Sequence, residues 1–298
     1  MKGIIFSIEE FAIYDGPGIR ANVFFKGCPL RCLWCHNPEG LEAPSELAYY
    51  KEKCIGCGEC VKACPHGAHY INEHGEHVFD REKCVACGKC TQSCFASALE
   101  LFGDEVTVDE LLPKLLEDRD FYESSGGGVT LSGGECLVWS NFASELLSAL
   151  KKEGISTAVD TCGHISREAI DRVIDYTDVF LYDIKGMNVD AHINNTGVSN
   201  EKLLENLKYI DSRGKKIEIR IPFVPDHNDA DIEAIGSFLS KLKNVSGVRV
   251  LPYHNFSGSK YEALGKTSKM GDIRIPTKDE CKAAEDALIE FGLPVIRF

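Results

Sequence analysis

The sequence predicts an α/β fold built on a mainly parallel sheet, with a small cysteine-rich module inserted near its start. Three observations predict it. From Thr107 onward, short apolar runs of strand length alternate with amphipathic stretches of helical spacing. Within residues 51–100, a region poor in Leu and dense in Cys, Lys, Glu and Gly, one cysteine pattern occurs twice at an offset of 30 residues. The whole chain has ordinary globular composition, 298 residues with 44% hydrophobic and 27% charged, enough for one large α/β domain or two smaller ones.

The chain opens with a strand-like stretch, a Gly-Pro-Gly turn at residues 16–18, and a second apolar run at 21–25 that leads into a first cysteine cluster. Thr107 with Glu110 reads as a capping box, and Val108, Leu111, Leu112, Leu115 and Leu116 follow at helical spacing. Pro113 inside that pattern should kink or shorten the helix. Further strands are expected at 128–131, 155–159, 179–182, 217–221 and 247–251. Amphipathic stretches at 142–150, 167–174, 201–210 and 232–242 lie between them, and a last helix begins at Thr277 with Glu280 three residues on. Counting 22–25, six strands result, most followed by a helix. Repeated βα units favour a parallel sheet, either open and doubly wound or closed toward a barrel, and periodicity does not choose between them.

The formal net charge of -13, with no basic stripe, excludes an ordinary nucleic-acid surface. No apolar run approaches the roughly 18 residues that cross a bilayer, and the first ten residues are unlike a signal peptide. The sequence therefore reads as cytoplasmic, with neither nucleic acid nor membrane as partner. Thiols are kept reduced in that compartment, so the spacing of the 14 cysteines points to metal.

Cys28-Pro-Leu-Arg-Cys32-Leu-Trp-Cys35 offers three thiols and no fourth nearby. A structural zinc site wants four ligands, usually from two Cys-x-x-Cys hooks. A cubane iron–sulfur cluster also wants four, so three leave one iron open to a chelating small molecule. A zinc site completed by His36 is the other reading.

Downstream, Ser132-Gly133-Gly134-Glu135 follows a strand, where two glycines let backbone approach a ligand and a carboxylate can accept from an ammonium. Simple turn usage also explains two glycines. Asp160-Thr161-Cys162-Gly163 and Asp183-Ile184-Lys185 end the next two strands. Carboxylates at the C-terminal ends of barrel strands read as functional, with helix caps as the alternative. Arg220 lies in a strand otherwise built for burial and needs an anion, either a ligand carboxylate or a structural partner. Cys136, Cys162 and Cys281 lack cluster spacing and read as small hydrophobes.

In the duplicated module each run reads Cys-x2-Cys-x2-Cys-x3-Cys, the first followed by Pro65 and the second by Phe95. This resembles the bacterial two-cluster ferredoxin spacing, in which each run's fourth cysteine ligates the other cluster. On that resemblance Cys54, Cys57, Cys60 and Cys94 hold one [4Fe–4S] cluster, and Cys84, Cys87, Cys90 and Cys64 the other. Two zinc knuckles are the alternative.

Cys-x3-Cys-x2-Cys with Trp34 just before the last cysteine resembles the radical S-adenosylmethionine (radical SAM) superfamily. Asp15-Gly16-Pro17-Gly18-Ile19-Arg20 and Cys35-His36-Asn37-Pro38-Glu39 are similar to the glycyl radical enzyme activating enzymes, and the likeness runs to about residue 260. The resemblance implies a partial (β/α)6 TIM-like barrel over 1–50 and 101–298, with a ferredoxin-like insert at 51–100. It implies three [4Fe–4S] clusters, the catalytic one on Cys28, Cys32 and Cys35. SAM would be held by Trp34, Gly133, Gly134, Glu135, Lys185, Arg220 and His254. A monovalent cation, Na+ or K+, would sit at Asp160, Thr161 and Asp183, and Asp15 would contact the partner's glycine loop. These relatives usually have Pro after the Glu, where this chain has Cys136.

The implied activity is reductive cleavage of SAM to a 5′-deoxyadenosyl radical, which abstracts a hydrogen atom from a backbone glycine of a large glycyl radical enzyme. A flavodoxin or ferredoxin would supply electrons to a monomeric activator, and the insert would relay them inward or modulate reduction. No acid–base pair is required and none stands out. The Asp15–Arg20 segment argues against the first rival, a radical SAM enzyme acting on a small metabolite with auxiliary clusters. A pure electron-transfer protein, the second rival, leaves the three-cysteine loop and the Gly-Gly-Glu turn unexplained. Partners of such activators include pyruvate formate-lyase-like enzymes, dehydratases, decarboxylases and C–N or C–S lyases, and the insert favours the non-pyruvate groups.

Overall fold

The computed structural model describes residues 1–269 and 273–297. Its strands run β1 (Lys2–Ala12), β2 (Arg20–Phe25), β3 (Glu46–Tyr49), β4 (His69–Ile71), β5 (His77–Phe79) and β6 (Leu99–Phe102). They continue as β7 (Asp104–Thr107), β8 (Gly128–Gly133), β9 (Ser156–Thr161), β10 (Val179–Asp183), β11 (Lys216–Phe223) and β12 (Val245–Pro252). The helices are α1 (Glu59–Ala63), α2 (Lys89–Gln92), α3 (Val108–Leu115), α4 (Arg119–Ser125), α5 (Ser140–Lys152) and α6 (Arg167–Val173). Then follow α7 (Val189–Thr196), α8 (Glu201–Ser212), α9 (Ile232–Leu239), α10 (Gly258–Ala263) and α11 (Lys278–Glu290).

Eight strands form one sheet in the order β12-β11-β10-β9-β8-β2-β1-β7. From β2 to β12 every pairing is parallel, whereas β1 runs antiparallel to both β2 and β7. Among the parallel strands, neighbours in the sheet are successive along it, so every crossover steps the same way. With right-handed crossovers, the connecting helices then share one face. A doubly wound sheet would instead reverse its order at a switch point. The outer strands are β7 and β12, and Val295 meets β12 at Val248 in a single parallel bridge.

The six parallel strands read as contiguous apolar runs because both of their faces are covered. Val129 and Leu131 on β8 and Phe180 and Leu181 on β10 are fully buried. Helix α5 lays Phe142, Leu146, Leu147 and Leu150 at helical spacing into one cluster with Val129, Leu131 and Phe180, each contributing roughly 1.5–3 kcal/mol on burial, whereas Leu181 packs with Ala158 and Val179 on the other face. The Thr107 side chain accepts from Glu110 N and the Glu110 carboxylate from Thr107 N, closing the capping box of α3. That helix runs through Pro113 to Leu115, with Leu116 N still bonded to Leu112 O. Thr277 and Glu280 form the same box on α11.

Other elements depart from expectation. Strand bounds differ by one or two residues, and α4 and α7 carry too little apolar periodicity to be foreseen. Helix α7 is rich in β-branched and Asn residues and is held at its ends: Asn188 accepts from Ala191 N, and Gly197 takes the left-handed conformation with φ of 84°.

The duplicated module leaves the main body through β3 and returns through β6, which pair antiparallel. Helices α1 and α2 each start after a left-handed glycine, Gly58 and Gly88. Fully buried Lys26, just beyond β2, pairs with Glu46 on β3 at 2.9 Å, and Lys266 reaches the same carboxylate at 2.8 Å. Arg81 donates to Leu47 O in β3 and Ala263 O in α10, strapping the module to the body. Among the described residues no helix is long and apolar enough to cross a membrane.

Candidate active site at the carboxyl end of the sheet

The C-terminal ends of β2 and β8–β12 converge on a cavity of about 400 Å³, within the roughly 300–1,000 Å³ of small-molecule sites. Cys28, Cys32, Trp34 and Cys35 enter it from the loop after β2. Gly133 and Gly134 come from the end of β8, Asp160 from β9, and Asp183 with Lys185 from β10. Arg220 on β11, His254 beyond β12 and Asp15 complete the set of anticipated residues on its wall.

Two anticipated residues stand behind that wall. Glu135 is fully buried and accepts from Leu137 N at 3.1 Å, Cys162 N at 2.8 Å and Thr161 Oγ1 at 2.9 Å. Its carboxylate thus ties the Gly-Gly turn to the end of β9, and burial raises its pKa. The turn itself requires glycine. A Cβ on Gly134 would lie 2.3 Å from Gly40 O, and Gly133 has φ of 113°.

Charge in the cavity is arranged around Arg220. Its Nη2 meets Asp15 Oδ1 at 2.7 Å and its Nη1 meets Asp160 Oδ2 at 3.1 Å. Asp160 Oδ2 also accepts from Ser132 Oγ at 2.7 Å, and Asp15 Oδ2 from Asn22 Nδ2 at 2.6 Å. Lys185 Nζ pairs with Asp183 Oδ2 at 2.6 Å. Three carboxylates against two cations leave the wall negative. Burial lifts the Asp160 carboxyl to about 6, with Arg220 pulling the other way. Burial works against the Lys185 ammonium, yet Asp183 and Cys32 outweigh it and raise its pKa.

The cysteine loop is fixed from both sides. Arg31 N and Leu33 N donate to Thr196 O and Asn195 O at the end of α7. From α10, Tyr261 Oη donates to Cys35 O, and Lys260 pairs with Glu39 at 2.6 Å. Burial pushes the Cys32 thiol up to about 12 and Cys35 up to about 11. Cys28 goes the other way, chiefly because Cys162 donates to it. Cys162 is therefore more than the small hydrophobe its spacing suggested.

These residues fit an iron–sulfur cluster and SAM. Thiols held in such a place need a metal to persist as thiolates. Three polar atoms on the cavity wall, Asp160 Oδ1, Arg220 Nε and His254 Nδ1, are buried without a partner, as a polar ligand would require. A closed zinc site, with Zn–S near ~2.3 Å, would bring its ligand atoms to about 3.8 Å of one another. Among the described residues only Cys60, His69 and His77 draw three donors within 4.8 Å. The loop cysteines stand wider, and His36 spends Nε2 on His254 O at 2.7 Å.

Asp15 owes its place to Arg20, which is fully buried and donates to Thr130 Oγ1, Val129 O and Pro17 O. Thr130 Oγ1 in turn donates to Asp15 O at 2.7 Å. Sequence reasoning missed Ser132, Asn22 and Cys162. Only Ser132, one residue before the glycine turn, carried a positional signal.

In the module, Cys54, Cys57, Cys60 and Cys94 line one small pocket, and Cys64, Cys84, Cys87 and Cys90 line another. Two histidines sit among them. Burial pushes His69 down to about 4 and His77 down as well.

A profile of the radical SAM superfamily matches residues 82–239, and one of the 4Fe-4S dicluster domain matches 53–98. Choline trimethylamine-lyase activating enzyme of Oleidesulfovibrio alaskensis is 44% identical over 273 residues, spanning 89% of this chain and 87% of that protein. Trans-4-hydroxy-L-proline dehydratase activating enzyme of Clostridioides difficile is 42% identical over 285 residues, spanning 94% of each. Among solved structures, Streptococcus suis SuiB bound to S-adenosylmethionine aligns at a TM-score of 0.51 and 15% identity. The alignment covers 65% of this chain and 44% of that one, a likeness of fold.

Proposed function

Because the chain belongs to the radical SAM superfamily and, within it, to the glycyl radical enzyme activating enzymes, we propose that its parallel sheet is a partial (β/α)6 barrel over 1–50 and 101–298, carrying a ferredoxin-like insert at 51–100 and three [4Fe–4S] clusters in all. The protein is an enzyme that acts through SAM on a glycyl radical enzyme partner. When bound, cluster and SAM supply a 5′-deoxyadenosyl radical that takes a hydrogen atom from a backbone glycine of that partner. The observation that carries this reading is the single cavity shared by the three-cysteine loop and the charged strand ends.

The residues then divide the work. Cys28, Cys32 and Cys35 would hold the catalytic cluster, three thiolates leaving one iron for SAM. Arg220 and Lys185 face the SAM carboxylate, an assignment supported by the unpartnered Arg220 Nε. Asp160 and Asp183 hold a monovalent cation, Na+ or K+, beside it, and Asp160 Oδ1 is free to contribute, whereas the expected third ligand, Thr161, spends its hydroxyl on Glu135 behind them. Gly133 and Gly134 offer backbone to the SAM ammonium, with Glu135 holding their turn through Thr161 and Cys162. His254 and Trp34 meet the nucleoside. Asp15 keeps one face toward the incoming glycine loop while Arg220 and Asn22 fix its carboxylate. The buried wall keeps water from the reacting atoms, so positioning replaces acid–base chemistry.

In this reading the insert's eight cysteines would hold two clusters that relay electrons from a flavodoxin or ferredoxin inward or modulate reduction of the SAM cluster, in a cytoplasmic monomer. Chemically reduced protein and SAM, incubated without oxygen with choline trimethylamine-lyase, trans-4-hydroxy-L-proline dehydratase and any large enzyme encoded nearby, should switch on one of them. Consumption of SAM on a small metabolite, with every partner left inactive, would overturn the reading.

A further inference from the structure

The two cysteine pockets of the insert are joined by a pair of histidines. His77 lines the pocket of Cys54, Cys57, Cys60 and Cys94, and His69 lines that of Cys64, Cys84, Cys87 and Cys90. His77 Nε2 lies 3.0 Å from His69 Nδ1 and 3.4 Å from Cys60 Sγ. Both rings are buried, and His69 Nε2 has no partner at all.

We propose that His77 and His69 form a hydrogen-bonded bridge between the two cluster sites, each giving one ring N–H to one cluster and so raising its reduction potential. The proposal rests on the reading that the eight cysteines hold two [4Fe–4S] clusters.

Proton placement follows from the contacts. If both rings carry hydrogen on Nε2, His77 shares its N–H between Cys60 Sγ and His69 Nδ1, and His69 keeps an N–H for the second pocket. If His69 were protonated on Nδ1 instead, it would donate to His77 Nε2. Cys60 would then receive nothing, His77 would turn its N–H to Cys54 Sγ at the longer 3.8 Å, and His69 would present a bare lone pair to a nest of sulfurs. The first arrangement puts the His77 N–H on the shorter sulfur contact, 3.4 Å to Cys60 Sγ rather than 3.8 Å from Nδ1 to Cys54 Sγ, and gives the otherwise orphaned His69 Nε2 a donor role.

Duplication supplies an internal control. At the 30-residue offset the counterpart of His69 is Leu99, which lines the first pocket as His69 lines the second. The fold therefore accepts an apolar side chain at this place, and a buried imidazole there calls for another explanation. Reduction adds negative charge to a cluster, and N–H donors to its sulfurs stabilise that charge. Aromatic packing holds the pair in register: His77 meets the Tyr49 ring edge-on at 4.7 Å and His69 stacks on Phe79 at 4.8 Å.

The test is a redox titration of the full-length, cluster-loaded protein, followed by electron paramagnetic resonance. His77→Phe and His69→Phe keep ring bulk and delete the donor. Each should lower the equilibrium constant for reducing its own cluster about fivefold, the factor of one net hydrogen bond. That is about 40 mV more negative at 59 mV per tenfold. His77→Gln and His69→Gln, which restore an N–H, should recover most of the shift. Unchanged midpoints in both Phe variants at full iron content would overturn the proposal while leaving the clusters standing. An insert short of two clusters in the unaltered protein would overturn the cluster reading and this proposal with it. Should a Phe variant fail to assemble, unaltered protein labelled with 15N-histidine decides the matter. Pulsed resonance should show nitrogen coupled to both reduced insert clusters, and the absence of coupling would refute the bridge.

Discussion

Replacing Arg220 by Met should cost about 4 kcal/mol of stability, and the structure says how that sum arises. The side chain bridges Asp15 at 2.7 Å and Asp160 at 3.1 Å. A hydrogen bond to a charged group is worth about 1.5–3 kcal/mol net, so losing the Asp15 bond removes about 2. Asp160 limits its own share. Its carboxyl already titrates at about 6 with the guanidinium in place. Taking a proton near pH 7.5 therefore costs about 2 kcal/mol at 1.36 per unit, and the group sheds its charge rather than pay more. At about 2 °C per kcal/mol for a domain of this size, the thermal midpoint of cluster-loaded protein should fall by about 8 °C. The ionised pair exists only above the folded pKa of Asp160, so the deficit should shrink as pH drops through 6. Asp15→Asn provides the control. Combined with Arg220→Met it should cost less than the two single changes added together, by about 1–2 kcal/mol. Strict additivity in circular-dichroism melts would show that Asp15 and Arg220 do not meet.

Four further outcomes are expected. Cys32→Ala should abolish SAM cleavage and remove one cluster's worth of iron while the insert signals persist. Cys57→Ala should do the reverse, sparing the SAM cluster and disturbing an insert cluster, as iron content and resonance spectra would show. Gly134→Ala puts a methyl 2.3 Å from Gly40 O and 2.6 Å from Gly27 O, both backbone atoms. It should cut SAM affinity in equilibrium binding by tenfold or more, about 1.4 kcal/mol. Lys26→Met leaves Glu46 its bond to Lys266 and should cost about 1 kcal/mol, but adding Lys266→Met strands the carboxylate and should cost about 3–5 in unfolding titrations.

The parallel strands were legible because burial on both faces writes them as unbroken apolar runs, each closed by a turn carrying Gly, Asp or Lys. Their sequential order along the sheet was not, since periodicity is the same in a doubly wound sheet. The cysteine spacing grouped most of the thiols that line each pocket, because residues within one loop are near in sequence as well as in space. Pairings across the fold carry no such signal. Asp15 and Arg220 stand far apart along the chain, and only the buried Arg20 clamp brings the first to the second. Glu135 shows a different limit. A Gly-Gly-Glu turn announces a close backbone approach, but which way the carboxylate points depends on Thr161 and Cys162 from the next strand. His69 and His77 lay in text that reads as turn and loop, and only the β4–β5 hairpin makes them neighbours.

The most direct test of the central claim is electron paramagnetic resonance of the reduced protein with SAM and its cognate partner, mixed without oxygen. The proposal predicts a glycyl radical doublet on the partner that collapses when its glycine is deuterated at Cα. Stoichiometric loss of SAM with no doublet, and a small molecule altered in its place, would contradict it.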